Sequence, residues 1–295
     1  MEWRKGRRSD NVVDARGEGG GGGMRFGGGK GLGLGAVLLI VGIGWLTGQD
    51  PLQILGQLAG QMEQQQQQAP SRVGGKAPPA NDQQAEFVAS ILGDTEDTWK
   101  ALFAENGRQY REPKLVLFSG QVNSACGFAS AAVGPFYCPA DQRVYLDMSF
   151  FREMETRFAA AGDFAQAYVI AHEIGHHVQT LLGVSAKVDA ARRSGQRLEG
   201  DSGLLVRQEL QADCLAGVWA YQAQKRLNWL EPGDVEEALN AANAIGDDRL
   251  QQQSRGRVVP DSFTHGTSAQ RVRWFKAGFA EGEVNSCDTF IARSL

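Results

Sequence analysis

The sequence predicts an α+β fold, mostly helical with a small β-sheet, preceded by one transmembrane helix. Three observations carry this. Two short runs rich in β-branched and aromatic residues, KLVLF at 114–118 and RVYL at 143–146, come before the longest helical patterns. From residue 150 onward nearly every patterned segment repeats apolar residues at steps of three and four, the helical period. An uncharged apolar run at 31–48, GLGLGAVLLIVGIGWLTG, has about the minimum length for a membrane-spanning helix. Strands first and helices afterwards is the order of a domain whose sheet lies to one side of its helices.

Residues 1–30 hold Arg4, Lys5, Arg7, Arg8, Arg16, Arg25 and Lys30 in a polar, glycine-laden stretch, which reads as a flexible basic tail without a core. These seven charges precede the apolar run, whereas only Arg72 and Lys76 follow it before the domain begins. The positive-inside rule then leaves the N-terminus in the cytoplasm and carries the rest of the chain across, with Trp45 at the far interface. A cleaved signal peptide is the alternative, opposed by the long preceding region and the lack of a small-x-small site after the run. Residues 49–80 read as a linker: Leu52, Ile54, Leu55 and Leu58 allow one short interfacial helix. A five-glutamine run at 64–68 follows, then Pro70, Pro78 and Pro79. The folded domain is expected at 81–295, a comfortable size for one unit. With 42% hydrophobic and 22% charged residues the chain has ordinary globular balance. A net charge of −4 argues against nucleic acid as the main partner.

Inside the domain, 82–105 predicts a helix with Phe87, Ile91, Trp99 and Phe103 on its apolar face. The strand at Val144–Leu146 is the candidate edge for pairing with an extended ligand. Residues 163–182, DFAQAYVIAHEIGHHVQTLL, form the clearest helix. Ala167, Ile170, Ala171, Ile174, Val178 and Leu181 recur at helical steps, and Gly183 supplies a stop. This helix carries His172-Glu173-Ile174-Gly175-His176. Residues four apart stack on one helical face, so His172 and His176 can point at one metal while Glu173 projects beside them, able to take a proton from a water there. The spacing is the His-Glu-x-x-His signature of zinc-dependent peptidases.

A catalytic zinc takes three protein ligands and leaves one position open. On a second helical pattern, 203–224, Glu209 and Asp213 lie four residues apart among Leu210, Ala212, Leu215, Ala216 and Trp219. Carboxylates set among apolar residues are costly unless compensated, and a metal compensates them. Glu209 is therefore assigned as the third ligand. Asp213 is assigned to the free N–H of His172 or His176, holding its tautomer. The reverse assignment, and a pairing of both acids with Arg207 on a wet face, remain alternatives.

His177 is turned about 100° from His176 around the helix and is read as a supporting or surface residue, not a ligand. His265 lies on a loop before a helix that Thr267 and Gln270 open as a capping box. A histidine so placed can reach into a cleft and stabilise the oxyanion that forms during amide hydrolysis, with Arg271 a weaker candidate for the same region. The four cysteines suit an exported, disulfide-bonded domain. Cys126 and Cys138 flank a short loop, which leaves Cys214 with Cys287. A cysteine-containing zinc site has no Cys-x-x-Cys spacing to support it.

Four segments together, HEIGHHVQ at 172–179, ELQADCLAG at 209–217, CPADQRVYLD at 138–147 and FTHGTSAQR at 263–271, resemble a family of bacterial membrane-anchored neutral zinc metallopeptidases. The likeness runs from the N-terminal apolar segment to the C-terminus. The Glu-x-x-Ala-Asp element and the late histidine are also similar to those of membrane zinc peptidases that process prenylated proteins. The resemblance implies a zincin-like domain holding one zinc ion per chain through His172, His176 and Glu209. It further implies hydrolysis of peptide bonds by attack of a zinc-bound water, with Glu173 as general base and His265 assisting. The substrate would be a peptide or protein. The expected location is the bacterial inner membrane, single-pass, with the catalytic domain periplasmic. Two other classes stay open: a membrane-anchored binding protein with a structural or degenerate zinc site, and a zinc amidase acting on a non-peptide amide.

Overall fold

The computed structural model describes residues 1–17, 75–130, 134–158 and 160–295. The expected spanning segment at 31–48 and most of the 49–80 linker lie outside the described residues. Among the described residues no helix is long and apolar enough to cross a membrane.

The chain enters as a short strand, β1 (Val12–Asp14), and continues, from the far side of residues 18–74, into helix α1 (Gln83–Glu105). Asp82 caps α1, its side chain accepting from the backbone N–H groups of Gln84 and Ala85. Phe87, Ile91, Trp99 and Phe103 are buried, as the helical spacing requires. Next come β2 (Lys114–Phe118), the β3 (Gln121–Ser124) and β4 (Gly127–Ser130) hairpin, β5 (Phe136–Cys138) and β6 (Arg143–Asp147). The helices α2 (Ser149–Phe158), α3 (Asp163–Leu182), α4 (Val184–Arg193), α5 (Leu204–Leu227), α6 (Asp234–Ala244), α7 (Asp247–Arg255) and α8 (Ser268–Glu281) complete the fold. The result is α+β, mostly helical with a small sheet, as expected.

The main sheet has the order β1-β2-β6-β5. β1, β2 and β6 run parallel, and β5 returns antiparallel to β6. This corrects one expectation: Val144–Leu146 belongs to β6, an interior strand paired on both sides. The free edge on that side is β5, whose three residues are too few to show a period. The predicted disulfides Cys126–Cys138 and Cys214–Cys287 both form. The first ties the β3–β4 turn to β5, and the second fastens the C-terminal tail to α5.

A larger correction concerns the N-terminus. Residues 1–17 are not a free tail but part of the folded unit. β1 extends the sheet, pairing Val12 with Leu115 and Val13 with Val116. Trp3, 9% exposed, packs edge-on against Phe87 with ring centroids 5.6 Å apart. The basic residues expected to stay solvated meet carboxylates on α1: Arg7 reaches Glu96 at 2.6 Å and Asp97 at 2.9 Å, and Arg8 reaches Glu86 at 2.7 Å. Arg4 and Arg8 also lie over the Trp3 ring. Gly93 makes this approach possible, since a Cβ there would lie 2.7 Å from the Arg7 carbonyl oxygen. The Met1 ammonium is buried against Asp163 at 2.8 Å and Asp234 at 3.3 Å, the first residues of α3 and α6.

Helix α3 runs through the centre and is buried along most of its length, including His172, Glu173, Gly175 and His177. It packs on α5, α6 and α1. Gly175, the fourth residue of the His-Glu-x-x-His motif, faces α5 closely: a Cβ would lie 3.0 Å from the Ala212 carbonyl oxygen. A side chain there would push apart the two helices that carry the candidate metal ligands.

Candidate metal centre

The crossing of α3 and α5 brings His172, His176 and Glu209 together, with one potential ligand atom from each lying within 4.8 Å of the others. Nε2 of His172 is 3.2 Å from Oε2 of Glu209, and Nε2 of His176 is 3.4 Å from Oε1. The two imidazoles stand nearly perpendicular, with centroids 4.8 Å apart.

Each imidazole is held from behind through Nδ1. That of His172 donates to Oδ1 of Asp213 at 2.8 Å. That of His176 faces Oε1 of Gln179 at 2.9 Å. The orientation of the Gln179 amide follows from its nitrogen, which donates to the Gln208 carbonyl at 2.6 Å and to Oε1 of Gln211 at 3.1 Å. Its oxygen can only accept, so Nδ1 of His176 carries a hydrogen and Nε2 is the nitrogen turned to the shared point. Two imidazole nitrogens and one carboxylate oxygen converging in this way fit the donor set of a catalytic zinc site.

Asp213 is fully buried and accepts four hydrogen bonds. Besides His172 these come from Tyr168 Oη at 2.5 Å and from Nε and Nη2 of Arg271, both at 2.9 Å. Burial opposes its ionisation, but Arg271 and His172 overcome this and hold the carboxyl at about 2. Asp213 thus stands behind His172, on the side away from the point where the Nε2 atoms meet. Arg271, expected only near the site, is the cation that balances it. Arg207 takes no part: it donates to the carbonyl groups of Thr289 and Ala292 near the C-terminus.

Burial would drive His172 to lose its proton, yet Asp213 and Glu209 raise it to about 10. Glu209 is held well below the usual carboxylate range, its burial outweighed by the two imidazoles. The carboxylates of Asp213 and Glu209 thus favour positive charge on the imidazoles, and a divalent cation at the shared point would answer the same demand.

Glu173 is 8% exposed and lines the cleft beside His172 and His176. Burial raises its pKa, and among the described residues no hydrogen bond ties its carboxylate down. His177 is not at the surface: it is fully buried, with Nε2 on the Arg111 carbonyl at 2.6 Å and Nδ1 on Tyr137 Oη at 3.1 Å. Burial lowers it to about 4, so it is neutral and serves the packing between α3 and β5.

His265 also lines the cleft, a cavity of about 660 Å³ that includes Tyr137, Phe150, Val169 and Leu250. Its loop is gripped by Asp247, a residue that no sequence pattern singled out. Oδ2 of Asp247 accepts the backbone N–H groups of Thr264 at 2.7 Å and His265 at 2.6 Å, and Oδ1 faces the imidazole Nδ1 at 3.2 Å. The predicted Thr267–Gln270 capping box is present at the start of α8. Gln179, Asp247 and Tyr168 are the supporting residues that the sequence reading missed. A single buried amide or tyrosine on a helix, or one acid at the first position of a short helix, has no periodic signature.

Residues 1–290 match the family described as "Putative neutral zinc metallopeptidase". The uncharacterized protein YpfJ of Escherichia coli is 50% identical over 290 residues, covering 98% of this chain and 99% of that one. The uncharacterized protein Rv2575 of Mycobacterium tuberculosis is 47% identical over 218 residues, covering 70% of this chain and 71% of its own length. No solved structure matches. With nearly its whole length matched, this chain belongs to the neutral zinc metallopeptidase family so described.

Proposed function

We propose that the protein is a zinc-dependent endopeptidase with one catalytic centre, formed by His172, His176, Glu209 and Glu173. The observation that carries this reading is the convergence of two Nε2 atoms and a carboxylate, each imidazole fixed through Nδ1, beside the buried carboxylate of Glu173, which has no hydrogen-bond partner among the described residues. A structural metal site has no use for such a group, and that favours catalysis over a binding role.

Zinc, when bound, supplies a Lewis acid that acidifies water and polarises a carbonyl. The chain's own residues do the rest. His172, His176 and Glu209 hold the ion on rigid helices, and Asp213 and Gln179 keep the imidazole hydrogens on Nδ1. Glu173 accepts the proton of the attacking water and delivers it to the leaving amine; its desolvated carboxylate is a stronger base than an exposed one. His265 turns Nδ1 to Asp247, which leaves Nε2 to face the cleft and hydrogen-bond the carbonyl oxygen as its charge develops. The edge strand β5, with Phe136 and Tyr137 on the cleft wall, offers backbone groups to an extended peptide. Attachment to a membrane through the apolar run at 31–48 is part of the same reading, and the two disulfides suit an oxidising compartment.

Glu173→Gln is the test. Glutamine keeps the shape but cannot accept the proton, so the variant should bind zinc like the parent and lose peptide hydrolysis by at least about a hundredfold. Retained turnover would remove Glu173 from its role.

A further inference from the structure

The cavity at the metal centre has two unlike ends, set by the elements that meet α3 on either side. On α3 itself Val169 lies three residues before His172 and four before Glu173, so it shares their face one turn towards the start of the helix. It is 5% exposed and lines the cleft. Helix α6 packs along the same part of α3. Glu237, in its first turn, accepts the Phe164 backbone N–H at 3.0 Å, and Ile245, its C-cap, reaches the level of His172. The Ile245 carbonyl accepts from Nη1 of Arg271 at 3.3 Å, and Nη2 of that guanidinium is 3.4 Å from Nδ1 of His172. Ile245 lines the cleft beside Val169.

Leu250 supplies a third apolar wall, and folding gives no reason for it. Helix α7 reads DDRLQQQSR, in which Leu250 is the only apolar residue. A helix that is otherwise polar on every side has no apolar stripe to bury. Leu250 is partly buried, belongs to neither apolar core nor to the residues packed on them, and lines the cleft. Its direction follows from Asp247, one turn earlier: residues three apart share a helical face, and Asp247 grips the His265 loop at the cleft. Towards the C-terminal end of α3 the lining is polar instead, with Ser185, Arg192 and Gln208. Val169, Ile245 and Leu250 thus make an apolar recess on one side of the shared point.

We infer that this recess is the specificity subsite of the centre, that it takes one large aliphatic or aromatic side chain from the residue adjoining the cleaved bond, and that Leu250 sets the preference. The recess lies one helical turn from Glu173 and next to His265, so a side chain seated in it belongs to a residue beside the reacting carbonyl, not to one farther along the peptide. In an apolar recess even one methylene changes selectivity by roughly tenfold or more. The inference rests on the peptidase reading above and gives it a substrate class: peptides cut beside a large apolar residue.

The experiment reads binding apart from turnover. N-acetyl-leucine hydroxamate and N-acetyl-glycine hydroxamate carry the same zinc-chelating group and differ in the side chain beside it. Each is titrated calorimetrically into the zinc-loaded full chain and into its Leu250→Ala and Leu250→Gln variants, glutamine being a residue that α7 already carries three times. The expected result is a preference for the leucine probe of roughly tenfold or more in the parent, falling to near parity in both variants while the glycine probe still binds. A general loosening of the centre would weaken both probes alike. Equal affinities in the parent, or a preference that survives both substitutions, would overturn the subsite. Peptide cleavage is the independent arm: cuts beside Leu, Ile, Met or Phe support the subsite, and cuts with no such preference overturn it. A leucine preference in binding without any cleavage would remove the peptidase reading and leave the subsite standing.

Discussion

Asp213→Asn perturbs the centre without replacing a proposed metal ligand. The carboxylate accepts from His172, Tyr168 and twice from Arg271, and both Asp213 and Arg271 are almost fully buried. An asparagine offers one oxygen and sets an NH₂ against the remaining donors. The Arg271 charge is then left without its partner at 3% exposure. Removing one member of a buried ion pair costs about 3–5 kcal/mol. Losing the hydrogen-bond acceptor behind a metal-bound histidine weakens metal affinity roughly 10–100-fold. Urea unfolding of the chelator-treated protein reads the first quantity, and zinc competition against a chromophoric chelator reads the second. The double variant Asp213→Asn/Arg271→Met removes the orphaned charge as well, and should be more stable than the sum of the two single losses by about 1–3 kcal/mol. A single variant within about 0.5 kcal/mol of the parent, typical of neutral surface changes, or strict additivity in the double variant, would refute the reasoning.

Three further outcomes follow from the same structure. His177 has its pKa lowered from 6.5 to about 4, so the unfolded chain binds the extra proton between those values. Stability is fully present above pH 6.5 and declines towards pH 4, by on the order of 3 kcal/mol from this residue; His177→Asn should flatten that part of an acid-unfolding profile. Deleting residues 1–17 uncovers the faces of α1 and β2 that Trp3 and Val12 bury, and should cost roughly 5 kcal/mol in denaturant unfolding; an unchanged midpoint would mean that the segment is not docked. His265→Ala should lower kcat by about 10²–10³ with zinc content unchanged, and Asp247→Asn should lower it less, since there the imidazole is only released from its support.

The parts of this protein that were legible in sequence are those with a period or a pair. The His172/His176 spacing, Glu209 and Asp213 one turn apart, the Thr267–Gln270 cap and the cysteine pairing all rest on short-range regularities, and the fold brings those residues together. The N-terminal segment was misread because its partners are far away in sequence. Trp3 needs Phe87, Arg7 needs Glu96 and Val12 needs Leu115, so locally only basic residues and glycine are visible. The edge strand escaped because Phe136–Cys138 is shorter than any detectable alternation and is flanked by Pro135 and Pro139. Arg271 and Asp247 act through loops and helix ends that meet only after α5, α7 and α8 have packed.

The most direct test of the central claim is cleavage of a diverse peptide library by the zinc-loaded full chain, followed by mass spectrometry, with Glu173→Gln in parallel. The account predicts internal cleavage by the parent, abolished by a chelator, restored by zinc and absent from the variant. An intact library in the presence of protein carrying one bound zinc would contradict it.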